Sequence, residues 1–170
     1  MAVKDLVILY DYGYWANGKL FDVIAGLTPE EFTRTVAGGY ESIRNTMVHV
    51  LSAEAGWLDR CGGPERGPRL DPSDYPTAES LMQAWKKVEQ DVRGFLSRLT
   101  DEDLERKVEF SFEPSRTHSM LLGELMQHAA IHAVHHRGQV ALLLRSLGRT
   151  PGNFDLLRYY AERGAAGHSV

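Results

Sequence analysis

Two histidines, His132 and His136, lie four residues apart in the run HAVHHRGQV. On an α-helix this spacing places two side chains about 40° apart around the axis and one turn apart along it, so both imidazoles can point at one ion. Histidine pairs of this kind are common ligands of zinc, nickel and related divalent ions. The run therefore predicts two ligands of a metal site.

A second pair at the same spacing, His128 and His132, leaves the choice of ligands open. On a helical wheel with His128 at 0°, His132 lies at about 40° and His136 at about 80°, while the aliphatic side chains extend to about 120°. The pair His132 and His136 is therefore more central in the apolar stripe. His135 lies on the other side of His128, and both are candidate pocket residues for which an ordinary hydrogen-bonded role is the simpler interpretation.

A third ligand is expected from a different helix, because donors from more than one helix are needed to define the geometry of a metal site. His49 is the natural candidate, although it lies on the flank of its own helix, about 140° from the centre of the apolar stripe. Glu54 occupies the centre of that stripe. A buried carboxylate is costly unless it is paired, so Glu54 either supports the metal site and its catalysis or forms half of a buried salt bridge.

Four long amphipathic segments would carry these residues. Capping residues predict where helices begin: Thr28 for a short helix, then Ser42, Thr77 and Ser119 for the second, third and fourth long helices. Connections rich in glycine, proline and charge separate the segments.

Glycines predict where the first and fourth long helices end. The first is expected to end near Gly26, and the fourth to extend from Met120 to Leu147 with Gly148 as its stop. A terminal helix, DLLRYYAER, follows, and KVEFSF is a brief extended excursion. We expect an all-α protein, a four-helix bundle with a short additional C-terminal helix, forming a single domain over residues 1–170.

Length and charge restrict the class of protein. A chain of 170 residues can bury a core without a metal, so a bound metal is expected to be functional. The net charge is -4, and no basic run indicates nucleic acid or an anionic membrane as a partner. A single cysteine, Cys61, and the lack of a long apolar segment predict a cytoplasmic protein in which Cys61 is structural.

Further residues are candidates for the mouth of the site or for helix contacts. Gly138, in the middle of a helix, predicts a close helix approach or a dimer contact, and Arg137 predicts a salt bridge or a subunit interface. Aromatic and amide side chains on apolar faces either line a pocket or pack in the core. The pocket candidates of this kind are Tyr10, Tyr14, Asn17 and Trp57.

Four motifs and one segment, in this order, resemble the DinB (DinB/YfiT-like) family of metalloenzymes. They are YGYWAN, HVLSAE, HAVHHRGQV, LLRSLGRTP and residues 155–159. The resemblance implies an up-down-down-up four-helix bundle, often homodimeric. It also implies that His49, His132 and His136 bind the metal and that His128 and His135 do not.

The resemblance also implies a chemistry. Three neutral imidazoles leave a divalent ion its charge and an open position, where a thiol or water would lose a proton more easily and supply a nucleophile. We expect a thiol-dependent S-transferase that joins a low-molecular-weight thiol to a small electrophilic substrate, or a hydrolase. A non-catalytic metal-binding or small-ligand-binding bundle is the alternative, followed by a metal-free structural bundle. Zinc or nickel is expected first, then iron or manganese.

Overall fold

A computed structural model describes residues 1–36, 42–65, 69–113 and 115–167. The described part is mostly helical. Its helices are α1 Val3–Ile24, α2 Pro29–Thr33, α3 Ile43–Arg60, α4 Ala78–Leu96, α5 Leu122–Ser146 and α6 Leu156–Gly167. Single 3₁₀ turns occupy Pro72–Asp74 and Asp103–Glu105, and two strands, β1 Lys107–Glu113 and β2 Arg116–Leu121, pair in an antiparallel hairpin.

The predicted capping residues at three helix starts are confirmed. The Thr28 hydroxyl accepts from the Glu31 amide at 3.2 Å, Ser42 caps α3, and Thr77 caps α4. These side chains satisfy amide groups that have no partner inside a first helical turn. At the other end, Gly148 has a φ of 71°, the left-handed conformation expected after the last residue of a helix.

The start predicted for the fourth long helix is wrong. Ser119 does not cap a helix, because it lies in β2 opposite Glu109, and α5 begins only at Leu122. The Glu124 carboxylate accepts from the Leu121 amide at 3.0 Å and so satisfies this helix start. The all-α expectation is corrected accordingly: the protein is mostly helical with a small two-stranded sheet. Because β2 buries none of its side chains completely, its sequence lacks the apolar alternation typical of a strand.

The long helices form two pairs that matter for the functional site. Helix α5 packs against α3 and α1, and α4 packs against α1 and α3. The seam between α3 and α5 therefore shares no helix with the seam between α1 and α4. Helix α6 packs on the outside of α1 through Tyr12, Ala16 and Tyr159.

One apolar core extends between the long helices. Fully buried side chains from α1, α3 and α5, such as Leu6, Leu51 and Leu125, occupy its centre. The hairpin adds Val108 and Phe110, which are also buried. Among the described residues, no helix combines the length and apolar character needed to cross a membrane. The core fixes the relative positions of α3 and α5, which carry the predicted metal ligands.

Candidate metal centre

Three histidines from two helices converge at the seam between α3 and α5. The Nε2 atom of His132 lies 3.2 Å from Nε2 of His49 and 3.1 Å from Nε2 of His136. One ring nitrogen from each of the three lies within 4.8 Å of the others. A tetrahedral zinc ion bound by imidazoles at about 2.0–2.1 Å would separate their nitrogens by about 3.3 Å. The donor set therefore fits a divalent metal ion.

The surroundings of the cluster favour neutral imidazoles. Partial burial, together with the neighbouring histidines, lowers the pKa of His49 and of His132 from 6.5 to about 4. Burial also lowers the pKa of His136. An imidazole must be unprotonated on its ligating nitrogen to bind a metal. At neutral pH the three rings are therefore in the form that ligation requires.

Gln139 orients the ring of His136. The sequence alone did not lead us to predict it as a functional residue. The Nδ1 atom of His136 lies 2.7 Å from the Gln139 Oε1, so Nδ1–H donates to the amide oxygen. That tautomer leaves the Nε2 lone pair facing the cluster. The signal was present in the HRGQ sequence, because a residue three positions after His136 lies on the same face of the helix.

The other two histidines of α5 lie beside the cluster. The amide nitrogen of Gln139 lies 3.2 Å from Nε2 of His135, which is exposed. The ring of His128, also exposed, lies 6.0 Å from the ring of His132 and 5.2 Å from the ring of Trp57. Neither His128 nor His135 is part of the three-histidine cluster.

Trp57 connects the cluster to the hairpin. Its ring meets Phe110 of β1 edge to face at 5.2 Å, and Phe110 stacks on His118 of β2 at 5.5 Å. Trp57 is buried, with 8% of its surface exposed. A chain of ring contacts therefore runs from His128, beside the cluster, through Trp57 to the two strands of the hairpin.

The candidate pocket residues of α1 are buried and hydrogen-bonded. The Tyr10 hydroxyl donates to the Met126 carbonyl at 3.1 Å, and the Tyr14 hydroxyl donates to Glu54 Oε1 at 2.6 Å. The Asn17 Oδ1 accepts from Arg137 Nη1 at 3.2 Å. These bonds connect α1 to α3 and α5 inside the core.

Glu54 and Arg137 border a small cavity of about 10 Å³. Burial raises the pKa of Glu54 from 4.5 to about 7, against the opposing effects of the Tyr14 hydrogen bond and the Arg137 charge. Arg137 is 2% exposed, and its Nε and Nη2 atoms have no partner within the described residues. Because Arg137 is enclosed by its own chain, it does not serve a subunit interface.

Cys61 is buried at the end of α3. Burial raises the pKa of its thiol to about 11. The thiol is therefore protonated at neutral pH and suits the structural role predicted for it.

Comparison with known proteins places this geometry in a family. A model described as "DinB family" matches residues 1–165. The chain belongs to the DinB family. Protein DinB of Bacillus subtilis (strain 168) is 24% identical over 150 residues, which cover 82% of this chain and 84% of that protein. The uncharacterized protein YizA of the same strain is 23% identical over 142 residues, covering 84% and 87% of the two chains.

Two solved structures share the fold of this DinB-family chain. A DinB-like protein from Bacillus cereus superposes with a TM-score of 0.75 at 24% identity, covering 89% of this chain and 97% of that one. A conserved protein from Enterococcus faecalis gives a TM-score of 0.60 at 15% identity, covering 85% and 96%. The predicted family membership is thus confirmed.

Proposed function

We propose that the protein is a divalent-metal-dependent enzyme whose ion is held by His49, His132 and His136. The reaction that we favour is thiol-dependent S-transfer, which joins a low-molecular-weight thiol to a small electrophilic substrate. Metal-assisted hydrolysis at the same site is the alternative reaction. The observation that carries the proposal is the convergence of three neutral imidazole nitrogens from two helices. Zinc or nickel is the expected ion, with iron or manganese as further candidates.

The residues around the site have separate tasks in this proposal. When bound, the ion supplies Lewis acidity, which favours loss of a proton from a thiol or water. Gln139 keeps Nδ1 of His136 protonated and its Nε2 available. The ring of His128 lies 6.0 Å from the ring of His132 and contacts the ring of Trp57 at 5.2 Å, so His128 and Trp57 would border a substrate beside His132.

A non-catalytic metal-binding or small-ligand-binding protein is the second candidate. The observation that favours it concerns Glu54, the carboxylate for which a supporting catalytic role was predicted. Its Oε1 accepts the Tyr14 hydroxyl inside the core, which ties it to α1. Turnover distinguishes the two candidates.

The proposed assembly is an up-down-down-up four-helix bundle that forms a homodimer in the cytoplasm. The family resemblance supports the helix order and the dimer, and the single cysteine supports a reducing compartment. Analytical ultracentrifugation of the untagged protein measures whether it is a dimer, whether or not it binds a metal.

Metal analysis of protein purified without an affinity tag tests the binding part of the proposal. We expect one divalent ion per chain, and protein that neither contains metal nor takes up added zinc or nickel contradicts the proposed site. Turnover is tested with the metal-loaded protein, monochlorobimane and a panel of glutathione, mycothiol, bacillithiol and cysteine. Conjugation that depends on the metal supports the transferase, and a silent panel with bound metal favours the second candidate.

A further inference from the structure

The outer face of α5, turned away from the core, is apolar although it is exposed to water. Three of its large aliphatic side chains, Ile131, Val134 and Leu142, are 55%, 42% and 67% exposed. Among residues 125–144 the only lysine, arginine or carboxylate is Arg137, and that side chain is buried. The exposed side of this segment therefore carries none of these charged groups over about five helical turns.

Helix α4 shows how a water-facing helix of the same chain is composed. Its exposed residues include Glu79, Lys86, Lys87 and Arg93. A surface helix typically has charged and polar residues opposite its apolar stripe, whereas a helix that is apolar all round is buried on all sides. The outer face of α5 thus has the composition of a contact surface.

Four exposed residues spaced seven apart form the middle line of this face. They are Glu124, Ile131, Gly138 and Arg145. At about 100° per residue, all four lie within about 60° of one another around the helix axis. If an antiparallel copy of the helix places Glu124 opposite Arg145, the same register places Ile131 opposite Gly138. The line is therefore complementary to itself.

The charges at the two ends of this line are available for such a pairing. Within the described residues, the Arg145 guanidinium has no carboxylate partner. Glu124 accepts from the Leu121 amide through Oε2, which leaves Oε1 for a second partner. A two-fold interface repeats each contact, so an antiparallel pair of copies would form the ion pair between Glu124 and Arg145 twice.

Gly138 leaves a recess at the point where Ile131 of a second copy would lie. A Cβ atom added to Gly138 would meet no heavy atom within 4 Å, so no side chain of the described residues fills this space. Packed helices lie about 8–10 Å apart, depending on the side chains between them. At this distance the recess accepts an isoleucine side chain and still tolerates a methyl group at position 138.

The charge pattern favours a second copy of the chain over a membrane surface as the partner. Helices that lie on membranes are typically rich in lysine and arginine on their polar side. Arg145 is the only exposed lysine or arginine of α5, and the net charge of the chain is -4. A second copy, in contrast, offers an opposite charge to each end of the line.

We propose that the outer face of α5 packs antiparallel on the same face of a second copy, with Glu124 paired to Arg145 and Ile131 packed over Gly138. The inference rests on the homodimer proposed above and assigns its contact surface. The two cluster histidines of α5 lie about 100° and 140° around the axis from Ile131. The dimer surface is therefore beside the histidine cluster and not over it.

Charge reversal tests the antiparallel register by analytical ultracentrifugation of the full chain. In Arg145→Glu two carboxylates would meet at each end of the interface, and in Glu124→Arg two guanidinium groups would meet there. Each variant should raise the dimer dissociation constant about tenfold or more. A mixture of the two variants should restore the affinity, because each end then joins opposite charges. Folded variants whose mixture shows no such recovery would overturn the proposal.

Ile131→Glu tests the apolar centre of the surface, and Leu157→Glu, at a position that is 78% exposed on α6, is its matched control. Ile131→Glu would bury a charge without a partner, so we expect a dissociation constant about a hundredfold higher, with the control unchanged. A dimer unaffected by Ile131→Glu overturns this surface and leaves the homodimer proposal standing, whereas an unaltered protein that stays monomeric overturns both. Metal content is measured in the same samples, so failure of the dimer surface and failure of the metal site are distinguishable.

Val134→Cys provides a test that requires no loss of affinity. In the proposed register, position 134 lies next to the two-fold axis, so the introduced thiols of two copies would lie close enough for a disulfide. The oxidant diamide would form this bond by removing one hydrogen from each thiol, and Cys61 does not compete because it is buried. We expect linked dimers from Val134→Cys and much less linking from the control Leu157→Cys. Linking of Val134→Cys that does not exceed the control overturns the proposal.

Discussion

The Nδ1 atom of His136 and the Oε1 atom of Gln139 lie 2.7 Å apart, within one turn of α5. This bond fixes both the orientation of the imidazole and the position of its proton. Hydrogen-bond partners of metal ligands typically contribute about 10–100-fold to metal affinity. The relationship gives Gln139 a testable role at the metal centre.

Gln139→Leu should weaken zinc binding about 10–100-fold, because His136 loses the acceptor that holds its tautomer. Competition with a chromophoric chelator measures the dissociation constant. Gln139→Glu, which keeps an acceptor oxygen at this position, should bind zinc at least as tightly as the unaltered protein. Equal weakening by both substitutions would show that the His136 bond does not tune the site.

His132→Ala should remove stoichiometric metal, since the His132 Nε2 lies within 3.2 Å of the Nε2 atoms of both other histidines in the cluster. We expect affinity to fall by more than about a hundredfold when two imidazoles remain. The matched control is His128→Ala, one turn earlier on the same helix, which should retain one ion per chain. If His132→Ala retained the metal and His128→Ala lost it, then His128 and not His132 would be a ligand.

Glu54→Gln should make the metal-free protein more stable at about pH 8 and leave it almost unchanged at acidic pH. Burial raises the pKa of Glu54 from 4.5 to about 7, so the folded state binds more protons than the unfolded state between these values. The free energy of unfolding contributed by Glu54 therefore falls as the pH rises through this window, by up to about 3 kcal/mol.

The histidines act in the opposite direction, so the Glu54 measurement has to be a difference between two proteins. The pKa values of His49 and His132, lowered from 6.5 to about 4, make stability rise with pH. This contribution is common to both proteins and cancels when urea denaturation curves are compared at each pH. A stability difference that stays constant with pH would mean that Glu54 has an ordinary pKa.

Gly138→Ala and Gly148→Ala should shift stability in opposite directions. Gly138 is exposed inside α5 and an added Cβ meets nothing, so alanine should raise the free energy of unfolding by about 1 kcal/mol. Gly148 has a φ of 71°, where a Cβ is strained, so alanine should lower it by about 1 kcal/mol. Urea denaturation at low and at high protein concentration measures both. Destabilisation by Gly138→Ala that appears only at high concentration would indicate a close contact with a second copy.

Local signals in the sequence predicted the helix starts well. Ser42 and Thr77 act through side-chain bonds to amides three residues later, and such bonds depend on the neighbouring chain alone. The extended segment KVEFSF is confirmed as part of β1. Its partner strand was missed, because the hairpin depends on pairing between residues such as Glu109 and Ser119, which no local period reveals. The error then moved the predicted start of α5 into β2.

The predicted metal ligands show the same limit at a larger scale. The pair His132 and His136 lies on one helix, so its spacing and its central position in the apolar stripe were sufficient to favour it as the ligand pair. His49 lies on the flank of α3 and meets them only because α5 packs against α3, so its assignment came from the family resemblance. Glu54 was correctly predicted as buried, but its bond to Tyr14 joins residues 40 positions apart on α1 and α3, which both pack against α4 and α5.

The three tryptophans of the chain are distributed over three different regions. Trp57 is in ring contact with His128 beside the histidine cluster, Trp85 meets Phe21 edge to face between α4 and α1, and Trp15 packs on Tyr159 under α6. Each indole is therefore a built-in fluorophore for one event. Variants that keep a single tryptophan would report metal uptake, the packing of α4 on α1 and the docking of the C-terminal helix as separate emission signals.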